Sequence, residues 1–119
     1  MPGKILVIDD DARNIFALKA TLLSRGFQCA TATSAQQGLA FLSEQKDIEI
    51  VLLDMMMPDM DGYEAIPKIK EKQNVPIIAV TAQAMIGDRE KCIKAGADDY
   101  ISKPIDVDKL LTILTNHIN

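Results

Sequence analysis

Asp9, Asp10 and Asp11 follow directly on the apolar run Lys4-Ile5-Leu6-Val7-Ile8. Asp54 closes a second such run, Ile48 to Leu53, and Thr81 closes a third, Val75 to Val80. Lys103, followed by Pro104, comes just after Asp99-Tyr100-Ile101-Ser102. Carboxylates brought within a few ångströms of one another cannot all stay ionised unless a positive charge compensates. A hard divalent cation such as Mg²⁺ does so, taking oxygen ligands and keeping waters that a phosphate can replace. A lysine ammonium is a point charge suited to a phosphate oxygen, and a threonine hydroxyl can donate beside it. A carboxylate nucleophile, a metal, a lysine and a hydroxyl are the parts of phosphoryl transfer. Catalysis there is largely positioning and charge stabilisation.

These residues act together only if the fold delivers them to one place. Between the apolar runs lie amphipathic stretches. Ile15, Leu18, Leu22 and Leu23 recur at helical spacing, Gly26 supplies a stop, and Asp11 can cap the start. Phe27 to Ala32 reads as a weaker strand, and Ser34 can cap a helix carrying Ala35, Leu39 and Leu42. Asp61 can cap a helix through Ile66 and Ile69, in which Pro67 demands a kink or a late start. Residues 84 to 95 read as a helix with a thin apolar stripe, Ile86 and Ile93, ended by Gly96. Asp99 to Ser102 is a short strand, and Val107, Leu110, Leu111, Leu114 and Ile118 mark the last helix. Five strands alternating with five helices predict an α/β fold: a doubly wound parallel sheet with helices on both faces. The first, third and fourth strands are continuously apolar, as strands covered on both sides are. Right-handed crossovers then carry every strand end to one rim, where ligands bind in such sheets. Adjacent strands lie about 4.8 Å apart, so neighbouring strand ends would bring their acids together.

The chain has 119 residues, 48% hydrophobic and 25% charged, which suits residues 1–119 as one domain with its own core. A net charge of -4 gives no electrostatic reason to expect nucleic acid or an anionic membrane as partner. No apolar run approaches the roughly 20 residues of a membrane span, and the early strand leaves no place for a signal peptide. A cytoplasmic domain is expected. Cys29 and Cys92 have no CxxC spacing and read as reduced structural residues, and His117 as the sole histidine makes zinc improbable. His117 reads as a charge near a helix C-terminus. Asp59-Met60-Asp61-Gly62 has the outline of a calcium loop, but Met57 and Lys68 would then occupy its first and twelfth positions.

Five pieces carry a resemblance: Val7-Ile8-Asp9-Asp10-Asp11, Leu53-Asp54-Met55-Met56-Met57-Pro58-Asp59-Met60-Asp61-Gly62, Val80-Thr81-Ala82, Gly96-Ala97-Asp98-Asp99-Tyr100 and Lys103-Pro104. In this order, each at a strand end, they resemble the receiver domain of the two-component response regulators over the whole length. The resemblance implies a flavodoxin-like (βα)5 three-layer sandwich with sheet order 2-1-3-4-5. It implies that Asp54 is the phosphoacceptor, taking phosphate from a phosphohistidine on a histidine kinase or histidine phosphotransfer protein. Asp10, Asp54 and the backbone carbonyl of Met56 would bind Mg²⁺ (Mn²⁺ could substitute), with Asp9 acting through a metal-bound water. Lys103 would pair with the phosphoryl group. Thr81 would bond a phosphoryl oxygen and swing inward, with Tyr100 following. The surface of helix four, strand five and helix five would then switch and be read by an unidentified downstream protein.

Such a domain assists its own phosphorylation and dephosphorylation without being an enzyme in the ordinary sense. Met56 and Gln83, each two residues beyond a site residue, are expected to border the hydrolytic water and to set the lifetime of the acyl phosphate. Residues 11–18 are similar to receivers attached to hybrid sensor kinases, and no DNA-binding output domain is expected. Two other readings stand beside this one. An aspartate-based phosphohydrolase would need an acid where Met56 stands. A flavin carrier would need a hydroxyl- and glycine-rich loop where three acids stand.

Overall fold

The computed structural model describes residues 3–82 and 87–118. Five strands, β1 (Lys4–Ile8), β2 (Gln28–Ala32), β3 (Ile48–Asp54), β4 (Ile77–Thr81) and β5 (Asp99–Ser102), alternate with five helices. These are α1 (Ala12–Ser24), α2 (Ala35–Glu44), α3 (Gly62–Lys72), α4 (Asp88–Lys94) and α5 (Val107–His117). All strands run parallel, in the order β2-β1-β3-β4-β5. The flavodoxin-like arrangement is therefore present as expected.

Because strand side chains alternate, the apolar strands feed two cores. Ile5 and Val7 of β1 with Ile50 and Leu52 of β3 pack against Leu18 and Leu22 of α1 and Leu110 and Leu114 of α5. Leu6 and Ile8 with Val51 and Leu53 pack on the other side against Leu42 of α2, Ile66 and Ile69 of α3 and Cys92 of α4. Sheet and two helical layers make the three-layer sandwich.

The helix starts follow their caps. The side chains of Asp11, Ser34 and Asp61 accept from the N–H groups of Arg13, Gln37 and Glu64. Gly26 is left-handed at φ 89, and the next N–H, of Phe27, donates to the Leu22 carbonyl at 3.0 Å. That bond closes α1, so β2 begins at Gln28, one residue later than its apolar run. Likewise β4 begins at Ile77, because Pro76 has no N–H for the ladder. The late start for α3 is not taken: the helix begins at Gly62 and runs through Pro67. Pro67 is exposed, and lacking an N–H it leaves the Tyr63 carbonyl without its usual helical partner. α4 runs over Asp88–Lys94. Its expected start at residue 84, with Ile86 and Gln83, lies outside the described residues.

Candidate functional site

The C-terminal ends of β1 and β3 are neighbours, with Ile8 paired to Leu53. The residues just beyond them therefore meet. Asp9, Asp10 and Asp54 each place a carboxylate oxygen within 4.8 Å of the others. Asp9 and Asp54 are buried, whereas Asp10 is exposed. Backbone N–H groups aim the two buried acids. Asp11 N–H donates to Asp9 Oδ1 at 2.8 Å, and Met56 N–H donates to Asp54 Oδ1 at 3.0 Å. Their remaining oxygens face one cation: Lys103 Nζ lies 3.6 Å from Asp9 Oδ2 and 3.7 Å from Asp54 Oδ2.

Lys103 comes from the far side of the sheet, and backbone pairing delivers it. Its N–H donates to the Thr81 carbonyl at 2.7 Å, which fastens the loop after β5 to the end of β4. The Lys103–Pro104 peptide bond is cis. Thr81 itself is buried as the last residue of β4, next to Val80, the residue paired with Asp54. The rim thus runs from Asp9 and Asp10 on β1, through Asp54 on β3, to Thr81 on β4 and Lys103 after β5.

Burial raises the Asp54 carboxyl above the ordinary range, and the charge of Asp9 pushes the same way. The Met56 N–H and the Lys103 ammonium oppose that rise and do not cancel it. Three carboxylates against one ammonium leave the cup electronegative. Hard oxygen donors this close fit a Mg²⁺-type cation and do not fit a soft one. Asp11 belongs to the helix and not to the cup: the Arg13 N–H caps its side chain and holds its carboxyl below the usual range.

The remaining expected residues are placed as follows. Met56 joins the site through its backbone, while its side chain is 57% exposed at the mouth. Tyr100 is half-buried in β5 with its hydroxyl 3.4 Å from Asp88 Oδ2 of α4. The cysteines are free, Cys92 buried and Cys29 partly so. His117 does more than sit at a helix end: its Nε2 lies 3.1 Å from Asp99 Oδ2, joining α5 to the start of β5. Gly62 has a role that its spacing did not reveal. A Cβ there would stand 2.8 Å from Met55 Cα, so only glycine lets α3 start against the Asp54 loop. No described helix is long and apolar enough to cross a membrane.

Comparison with known proteins agrees with this geometry. The family model of the response regulator receiver domain matches residues 5–115. Hybrid signal transduction histidine kinase I of Dictyostelium discoideum is 39% identical over 99% of this chain, which spans 7% of that protein. Heme response regulator HssR of Staphylococcus epidermidis is 36% identical over 89% of the chain, which spans 47% of it. The chain therefore spans at most about half the length of these relatives. Among solved structures, the receiver domain of the sensor histidine kinase PA1611 from Pseudomonas aeruginosa has 34% identity and a TM-score of 0.87. The match covers 98% of each chain, and that structure has a magnesium ion coordinated in its active site cleft. On the fold, the rim and the family match together, the chain belongs to the response regulator receiver domains, the phosphorelay signalling modules of two-component systems.

Proposed function

We propose that Asp54 is the phosphoacceptor and that residues 1–119 act as one receiver domain. The observation that carries this reading is the position of Asp54 in the rim. It stands on the central strand, with the acids of β1 on one side and Thr81 and Lys103 on the other. Asp9 faces the same lysine, but its strand is one further from Thr81. A phosphoryl group on Asp54 Oδ2 would therefore lie between an ammonium and a hydroxyl.

The donor is a phosphohistidine of a histidine kinase or a histidine phosphotransfer protein. An Asp54 oxygen attacks phosphorus in line, the P–O bond forms as the P–N bond breaks, and the imidazole leaves. The Met56 N–H holds the other Asp54 oxygen still, so the attacking one is aimed. Lys103 exchanges its carboxylate partners for the incoming phosphoryl oxygens, and Thr81 donates to one of them. Asp10 and Asp54 directly, the Met56 carbonyl, and Asp9 through water would hold Mg²⁺, with Mn²⁺ as a substitute. The metal supplies charge neutralisation between the acids and the phosphoryl group. The surface of α4, β5 and α5 carries the message to a downstream protein.

Incubation with acetyl phosphate and Mg²⁺ tests the acceptor. The expected result is a mass gain of one phosphoryl group, lost in Asp54→Asn and in excess chelator. Labelling that survives Asp54→Asn would move the acceptor elsewhere. The exposed Met56 side chain at the mouth governs water access and hence the lifetime of the acyl phosphate. Met56→Ala is expected to change the decay rate of the labelled chain several-fold, and identical decay would remove that role.

A further inference from the structure

α4 is a seven-residue helix with a single fully buried residue, Cys92, and its N-cap, Gly87, makes no side-chain capping bond. Two tyrosines from neighbouring elements reach it. Tyr100 of β5 places its hydroxyl 3.4 Å from Asp88 Oδ2, as described above. Tyr63, in the first turn of α3, does more. Its ring lies 4.8 Å from Lys91 Nζ, and its hydroxyl lies 3.9 Å from Cys92 Sγ. Burial raises both groups, the phenol to about 12 and the thiol above its ordinary value, so each keeps its proton at neutral pH. One aromatic side chain thus touches both the exposed cation and the one buried residue of α4.

The other end of this contact leads to the acceptor loop. Gly62, the residue before Tyr63, donates its N–H to the Met55 carbonyl at 3.1 Å, and Met55 follows Asp54 in the chain. Glycine's missing Cβ permits this approach. Tyr63 is therefore held one residue from the backbone that supports Asp54, while its ring rests on α4.

We propose that Tyr63 is a positioning residue which pins α4 in its unphosphorylated place and couples that pin to the acceptor loop. The proposal rests on the phosphoacceptor reading above. A contact made only in the unphosphorylated arrangement opposes phosphorylation, and by reciprocity its loss favours phosphorylation. A cation over an exposed aromatic ring changes such an equilibrium by about two- to five-fold. Together with Tyr100 on Asp88, the pin gives α4 two tyrosine anchors, both packed against the core on the same face of the sheet.

The test uses Lys91→Met, Tyr63→Phe and Tyr63→Leu in the full chain. Lys91 is exposed, so Lys91→Met removes the cation from the ring without opening the core. Two quantities are measured: amide exchange of residues 88–94 without phosphodonor, and the initial rate of labelling by acetyl phosphate with Mg²⁺. Lys91→Met and Tyr63→Leu are expected to speed both by about three-fold. Exchange in β1 and β3 should stay unchanged. Tyr63→Phe, which keeps the ring and loses the hydroxyl, should fall between these and the parent chain. Faster exchange with an unaltered labelling rate would make Tyr63 a packing residue only and overturn the proposal. Unaltered exchange in α4 would overturn it as well. Failure of the parent chain to label would instead overturn the acceptor reading, which separates the two outcomes.

Discussion

The floor of the acidic cup and the helix beside it are built to opposite standards. β1 and β3 are buried on both faces, with Ile5 to Ile8 and Ile50 to Leu53 essentially inaccessible. They hold Asp9 and Asp54 at their ends through 2.8 Å and 3.0 Å backbone bonds. α4 contributes one buried residue, a left-handed glycine at its start, the partly buried Ile93 and contacts from the tips of Lys91 and Asp88. On the proposed function, charges that converge on one metal and one phosphoryl group need a support that does not yield. On the same proposal, a surface that changes when phosphate arrives needs few contacts to break. One sheet serves both needs, because burial falls off from its centre towards the β5 edge.

Truncation of matched apolar residues gives the largest expected contrast. Leu53→Ala removes a fully buried side chain next to Asp54 and is expected to cost about 3 kcal/mol, in the range for core leucines. Ile93→Ala, on half-buried α4, should cost about 1 kcal/mol, close to the transfer value of the area lost. Urea denaturation of both variants checks the pair. Equal costs would break the contrast between a rigid floor and a loosely seated helix.

The same contrast decides what the sequence made legible. Asp9, Asp54 and Thr81 could be found because uninterrupted apolar runs mark strands covered on both faces, and Lys103 because it follows the short strand Asp99 to Ser102. Their ends share a rim by the handedness of the crossovers. The caps at Asp11, Ser34 and Asp61 were legible for a local reason: an Asn-, Asp- or Ser-type side chain binds an N–H two or three residues on. What escaped depends on pairs distant in sequence. Asp98 joins Lys70 Nζ at 2.7 Å and the Ile77 N–H, at the first residue of β4, at 2.8 Å. His117 meets Asp99, and Tyr63 meets Cys92, across similar separations. No hydrophobic period encodes such meetings, since each depends on how the finished layers stack. Pro67 left two outcomes open, a kink or a late start, and the late start is not taken: α3 begins at Gly62, with Ala65, Ile66 and Ile69 buried along it.

The smallest expected effect, and the sharpest on the cup itself, concerns pH. The folded chain raises the Asp54 carboxyl, first by burial and then through the charge of Asp9. The neutral form is therefore favoured by folding. Its contribution is fully present below the ordinary aspartate value of about 3.9. It is lost as pH rises through the raised value, so ionising Asp54 makes the chain less stable there. Asp54→Asn keeps an oxygen for the Met56 N–H and removes the charge. In chelator, the variant should melt above the parent at neutral pH, the direction set by the raised Asp54 carboxyl. The two curves should converge as pH falls to about 4. Saturating Mg²⁺ should erase the difference from the other side, by stabilising only the chain that keeps its third carboxylate. A variant that melts below the parent at neutral pH would mean that Lys103 more than compensates the cup. The floor would then be a satisfied ion pair, with no charge deficit waiting for a metal.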